Sequence, residues 1–175
     1  IYMLFQLSQT YSMYKKIDKG LSSIEKAYEI IKNNKKKAAN HSYVYNQLIR
    51  LYSKTNKYRE LEEVCQEAIS MVGDFLDFYY YLAIAQMGLN KNGESITSFK
   101  KYLSLLEEDQ KDIMDLFLVK DTLDFKENAY LNMSISYKEM NKYNEALKYL
   151  NKVRRYDLLD DKINLLVEIN LELGQ

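Results

Sequence analysis

The chain has 175 residues with 25 acidic and 25 basic side chains, so nothing in its charge favours nucleic acid or an anionic membrane as the main partner. Its single cysteine, Cys65, cannot close an internal disulfide, which fits a reducing, cytoplasmic setting. The longest apolar stretch, Phe78 to Ala85, is too short to span a bilayer, and the absence of proline with only five glycines favours long helices joined tightly.

Taken in order, the chain repeats one pattern. Residues 1–41 open it. Leu4, Leu7, Ser8, Tyr11 and Tyr14 mark a first helix, and Gly20, Ile24 and Ala27 mark a second between Lys19 and Ile31. The run Lys35-Lys36-Lys37 reads as part of a solvated connection. In residues 42–75, Tyr45, Leu48, Ile49 and Tyr52 recur at helical spacing. Asn56-Lys57-Tyr58 makes the turn, and Leu61, Cys65, Ala68 and Ile69 line the second helix.

Residues 76–126 repeat this in register through Tyr79, Leu82, Ala83 and Leu89, then Ser95, Phe99 and Tyr102. Leu48 and Leu82 stand 34 residues apart. An inserted stretch, 107–126, is expected to be helical, with Ile113, Leu116, Phe117 and Lys120 on one face. Residues 127–159 carry Tyr130, Met133, Ser134 and Tyr137, the turn Asn141-Lys142-Tyr143, then Ala146, Leu150 and Val153 in a helix expected from Asn144 to Tyr156. A partial unit, 160–175, holds Ile163, Leu166, Val167 and Leu173. Small residues at Ser8, Ala27, Ala68, Ala83, Ser134 and Ala146 let neighbouring helices approach closely. The end just after Gly174 reads as a fragment cut from a larger protein.

This pattern resembles the tetratricopeptide repeat, a helix-turn-helix unit of about 34 residues. Tyr130, Met133, Ser134, Tyr137, Asn141 and Ala146 carry the clearest match. The resemblance implies an all-α, right-handed superhelix (α-solenoid) of about four and a half repeats. Departures are the missing terminal proline, the rarity of glycine after the first helix, and Tyr102 in a slot that is normally small.

Catalysis requires a nucleophile, base or metal in fixed geometry. His41 stands alone and reads as a surface residue. Cys65 occupies a core slot, and Asp160-Asp161 and Glu107-Glu108 point apart or serve helix starts. No glycine-rich phosphate loop is present. We expect no enzyme site, metal or cofactor in this chain.

The resemblance implies instead a concave groove lined by fixed slots of each unit's first helix. Those slots hold Gln9 in the first unit and Asn46, Gln47 and Arg50 in the second. They hold Tyr80, Tyr81, Ile84 and Met87 in the third, and Asn128 and Asn132 in the fourth. Amides suit a peptide backbone, and the aromatic-aliphatic group suits an apolar anchor. The chaperone-adaptor variety of the family uses Lys, Asn and Arg where this chain has Phe5, Gln9, Gln47, Asp77 and Tyr81, so that specialisation is disfavoured.

The expectation is a non-catalytic scaffold that binds a peptide, a protein partner or a neighbouring domain. It carries no nucleic-acid contact and no membrane span, and its exposed array ends could support a homodimer. The phrasing Asp77 to Ala85 followed by Glu94 to Leu103 is similar to repeat regions beside the catalytic domain of Gram-positive family 2 glycosyltransferases. The alternative is the peptide-sensing domain of a bacterial regulator, which similar irregular repeats and amide-rich grooves would suit.

Overall fold

The computed structural model describes the backbone of residues 1–112 and 119–174 and the side chains of residues 1–108 and 125–174. Every regular element among them is helical: α1 (Tyr2–Met13), α2 (Ile17–Ile31), α3 (Lys35–Asn40), α4 (Ser42–Lys54), α5 (Tyr58–Met71), α6 (Leu76–Gly88), α7 (Asn92–Asp112), α8 (Val119–Glu139), α9 (Tyr143–Leu150) and α10 (Leu159–Glu172), with a 3-10 turn at Tyr156–Leu158. The chain forms two compact units, Ile1–Leu89 and Asn90–Gln175. None of the helices described is long and apolar enough to cross a membrane.

The turns between paired helices share one device. Lys15, Asn56, Asn90 and Asn141 all lie in the left-handed region, at φ of 57°, 54°, 60° and 57°. Asparagine tolerates this conformation better than most L-residues, which explains why glycine is rare here. At three of these turns the next amide reaches back five residues. Lys16 donates to the Tyr11 carbonyl at 2.8 Å, Lys57 to Tyr52 at 3.0 Å and Lys142 to Tyr137 at 2.9 Å. This closes the end of the preceding helix. The following tyrosine then grips the asparagine: Tyr58 Oη donates to Asn56 Oδ1 at 3.0 Å, and Tyr143 Oη to Asn141 Oδ1 at 2.9 Å.

In the first unit α1 packs on α2, α2 on α4, α4 on α5, and α5 on α6. Tyr45, Leu48, Ile49 and Tyr52 of α4 are buried, as are Leu61, Cys65 and Ala68 of α5. Burial of each large apolar side chain contributes about 1.5–3 kcal/mol. The tyrosine hydroxyls in this core are satisfied by carboxylates. Glu67 accepts from Tyr28 at 2.5 Å and from Tyr45 at 2.8 Å, and Glu25 accepts from Tyr52 at 3.1 Å. Burial, then the adjoining carboxylates, pushes all three phenols well above their ordinary pKa.

In the second unit α7 packs on α8, α8 on α9, and α10 on both α8 and α9. Phe99, Met133, Leu150 and Ile169 are fully buried, and Ser134 Oγ donates to the Ala146 carbonyl at 2.8 Å. All six small residues expected at close helix approaches, Ser8, Ala27, Ala68, Ala83, Ser134 and Ala146, have no exposed surface.

Four expectations need correction. Leu7 and Tyr14 are 42% and 73% exposed, because Ser8 faces the neighbouring helix and Tyr14 already lies past the end of α1. The lysine run is helical: Asn34 Oδ1 accepts from the Lys37 amide at 2.9 Å, starting α3, and Ala38 anchors it in the core. His41 is half-buried, its Nδ1 2.8 Å from Tyr43 Oη. Helix α9 stops at Leu150 and leaves Tyr156 89% exposed. There the chain is turned aside by Glu127 Oε2, which accepts from the amides of Arg154 and Arg155 at 2.5 and 2.6 Å. The shared face at Ile113, Leu116 and Phe117 lies outside the described residues. Helix α7 continues through Glu107 and Glu108 to Asp112.

Candidate functional site

Each unit carries part of the expected slot pattern. In the first unit, Asn46 and Arg50 sit one turn apart on α4 and are exposed. Gln9 is exposed on α1. Gln47 has a different fate: its Nε2 lies 3.3 Å from both Ser8 Oγ and Ser12 Oγ and ties α4 to α1. Phe5 and Tyr43, in neighbouring slots, pack edge-to-face with ring centres 4.7 Å apart.

On α6, Tyr81, Ile84 and Met87 are half-buried. Tyr80 is only 8% exposed, its ring edge-on to Tyr81 at 5.5 Å, so it packs within the fold instead of facing solvent. Asp77 and Tyr81 share the field of Arg50. Asp77 reaches solvent, yet the protein crowded around its carboxyl pushes its pKa up, against the pull of the Arg50 guanidinium. Burial likewise raises the Tyr81 phenol, with Arg50 opposing and Asp77 reinforcing. Arg50 of α4 thus acts electrostatically on both Asp77 and Tyr81 of α6.

The second unit holds a cleft of about 450 Å³ between α8 and α10, lined by Leu131, Asn132, Ile135, Lys138, Asp161, Asn164, Leu165 and Glu168. On α8, Leu131, Asn132, Ile135 and Lys138 stand in the repeat's groove slots and line it, while Asn128, in another such slot, does not. The α10 half was missed, although one signal would have found it. Counted from residue 160, Asp161, Asn164, Leu165 and Glu168 occupy the second, fifth, sixth and ninth slots, the same positions already assigned in the earlier units. Lys138 Nζ bridges the cleft to Glu168 at 2.5 Å and lies 3.5 Å from Glu139. The Glu168 contact raises its pKa.

The Cys65 thiol is buried, and desolvation, reinforced by Glu62, pushes its pKa far above that of a reactive thiol. Among the described residues no group of three or more His, Cys, Asp or Glu side chains is placed to hold a metal.

The helix-pair architecture defines the class. The chain has the fold of tetratricopeptide-repeat proteins, and it superposes on solved structures of two of them. MamA from AMB-1 matches with a TM-score of 0.66 at 19% identity, over 90% of this chain and 78% of that one. A MamA RS-1 double mutant matches with a TM-score of 0.68 at 10% identity, over 98% and 82%. PilW, described as a widely conserved type IV pilus biogenesis factor, matches with a TM-score of 0.67 at 18% identity, over 99% and 70%. No protein-family model matches the chain, and no curated protein matches it in sequence. None of these three structures links the chain to a glycosyltransferase.

Proposed function

We propose that this chain is a non-catalytic interaction module that holds an extended peptide or protein segment along the first-helix slots. One observation carries the reading: the α8–α10 cleft is lined on both walls by residues in the slots that the repeat pattern assigns to ligand contact. Leu131, Ile135 and Leu165 supply an apolar surface, while Asn132 and Asn164 each offer a donor and an acceptor suited to a peptide backbone. In the first unit, Arg50 and Tyr81 offer a separate contact surface, of residue types that dominate binding energy at interfaces.

The test is affinity selection of a random peptide display library on the intact chain, followed by fluorescence anisotropy with the enriched peptides. Leaving a ligand's polar group unpaired costs about 1–3 kcal/mol. Asn132→Ala should therefore weaken binding about tenfold, and Arg50→Ala with Tyr81→Ala should weaken it too, all with unchanged helical circular dichroism. Undiminished affinity in both sets of variants refutes the reading.

A further inference from the structure

The side chains around the α8–α10 cleft differ in how far they are already committed. The Lys138 ammonium is satisfied twice, by Glu168 at 2.5 Å and by Glu139 at 3.5 Å. Among the described residues, Asp161, Asn132 and Asn164 have no side-chain hydrogen-bond or ion-pair partner, although all three line the cleft. One cation against two carboxylates on the lining leaves a single negative charge unmatched, and it rests on Asp161. Its neighbour Asp160 carries the same charge at the same helix start but is not part of the lining. A carboxylate serving the helix dipole alone need not face a cleft, and Asp160 already serves that role.

Resting on the reading of the cleft as a peptide site, we propose that it selects a segment in which an arginine or lysine stands close to an aliphatic residue. The aliphatic side chain lies against Leu131, Ile135 and Leu165. The amides of Asn132 and Asn164 brace the backbone beside it, and the basic group pairs with Asp161. An acidic segment would meet the uncompensated carboxylate and is rejected by like-charge repulsion.

The same random peptide library tests this. We expect enriched peptides to share an Arg or Lys within a few residues of Leu, Ile or Val. In anisotropy at low salt, Asp161→Asn should weaken them about three- to fivefold, the worth of one partly exposed ion pair, and Asp161→Lys should weaken them further. Asp160→Asn, which removes the same charge from the same helix turn, should leave affinity unchanged. The loss in Asp161→Asn should shrink as salt is raised. Peptides enriched without a basic residue, or equal losses in Asp160→Asn and Asp161→Asn, overturn the proposed selectivity and leave the peptide-binding function standing. A library that enriches nothing overturns both.

Discussion

Gly88 offers a sharp test of the packing in the first unit. It closes α6, and a methyl carbon placed on it lands 2.5 Å from both Cγ and Cδ2 of Tyr58 and 2.7 Å from Cδ1. Carbon atoms rest at about 3.5–4.0 Å, so ring and helix would have to part by about 1 Å. The ring is not free to swing, because its hydroxyl holds Asn56 Oδ1 in the α4–α5 turn. Overpacking of this kind costs about 1–3 kcal/mol. Alanine returns about 0.5–1 kcal/mol over glycine inside a helix, and less at its last residue. Gly88→Ala should therefore destabilise by about 0.5–2 kcal/mol. Gly93, in the first turn of α7, has nothing within 4 Å of such a methyl, so Gly93→Ala should stabilise slightly. In a Tyr58→Ala background the obstacle is gone and Gly88→Ala becomes neutral or stabilising. Urea unfolding followed by far-ultraviolet circular dichroism gives the three differences, and the double-mutant cycle isolates the coupling. If Gly88→Ala stabilises as Gly93→Ala does, or behaves alike with and without Tyr58, the close approach of α6 to Tyr58 is refuted.

The left-handed turns predict a graded series: Asn56→Ala and Asn141→Ala should each lose about 1 kcal/mol, the glycine variants should lose little, and Lys15→Gly should gain, read from urea midpoints. Alkaline pH should unfold the first unit. The phenols of Tyr28, Tyr45 and Tyr52 are raised above their ordinary value of 10.0 by burial and neighbouring carboxylates, so the fold favours their neutral forms. That contribution is complete below about pH 10 and is lost progressively as pH rises above it. Tyrosinate absorbance should then show a late phase that coincides with loss of helical signal. A single phase near pH 10 with the helices intact would count against this buried network.

Much of the fold was legible because repetition makes each unit a check on the others. The slots of Tyr45, Leu48, Ile49 and Tyr52 recur as Tyr130, Met133, Ser134 and Tyr137, and helical spacing alone separates their buried face from the rest. Helix ends were less legible. The stop of α9 at Leu150 depends on Glu127, more than twenty residues earlier, which accepts two amides beyond the helix. No local propensity encodes that contact. The lysine run looked like loop because three like charges repel, yet Asn34 and a single buried alanine outweigh the repulsion when the lysines stay in solvent.

The candidate site shows the limit of slot counting most clearly. Gln47 and Asn132 occupy the same sixth slot of their first helices, and the sequence assigns both to a ligand. Gln47 is consumed by Ser8 and Ser12 on the preceding first helix, whose short hydroxyls leave room for its amide to reach across. Asn132 faces Asn164 and Leu165 across an open cleft, with its amide unspent. Position along a helix thus decides which way a side chain faces, while the opposing helix decides whether its hydrogen-bonding capacity survives for a partner. Asn132 is half-buried, and an unspent half-buried amide is destabilising in isolation, so a cleft that keeps it beside the exposed Asn164 amide and an unmatched carboxylate is better suited to an incoming segment than to the resting fold.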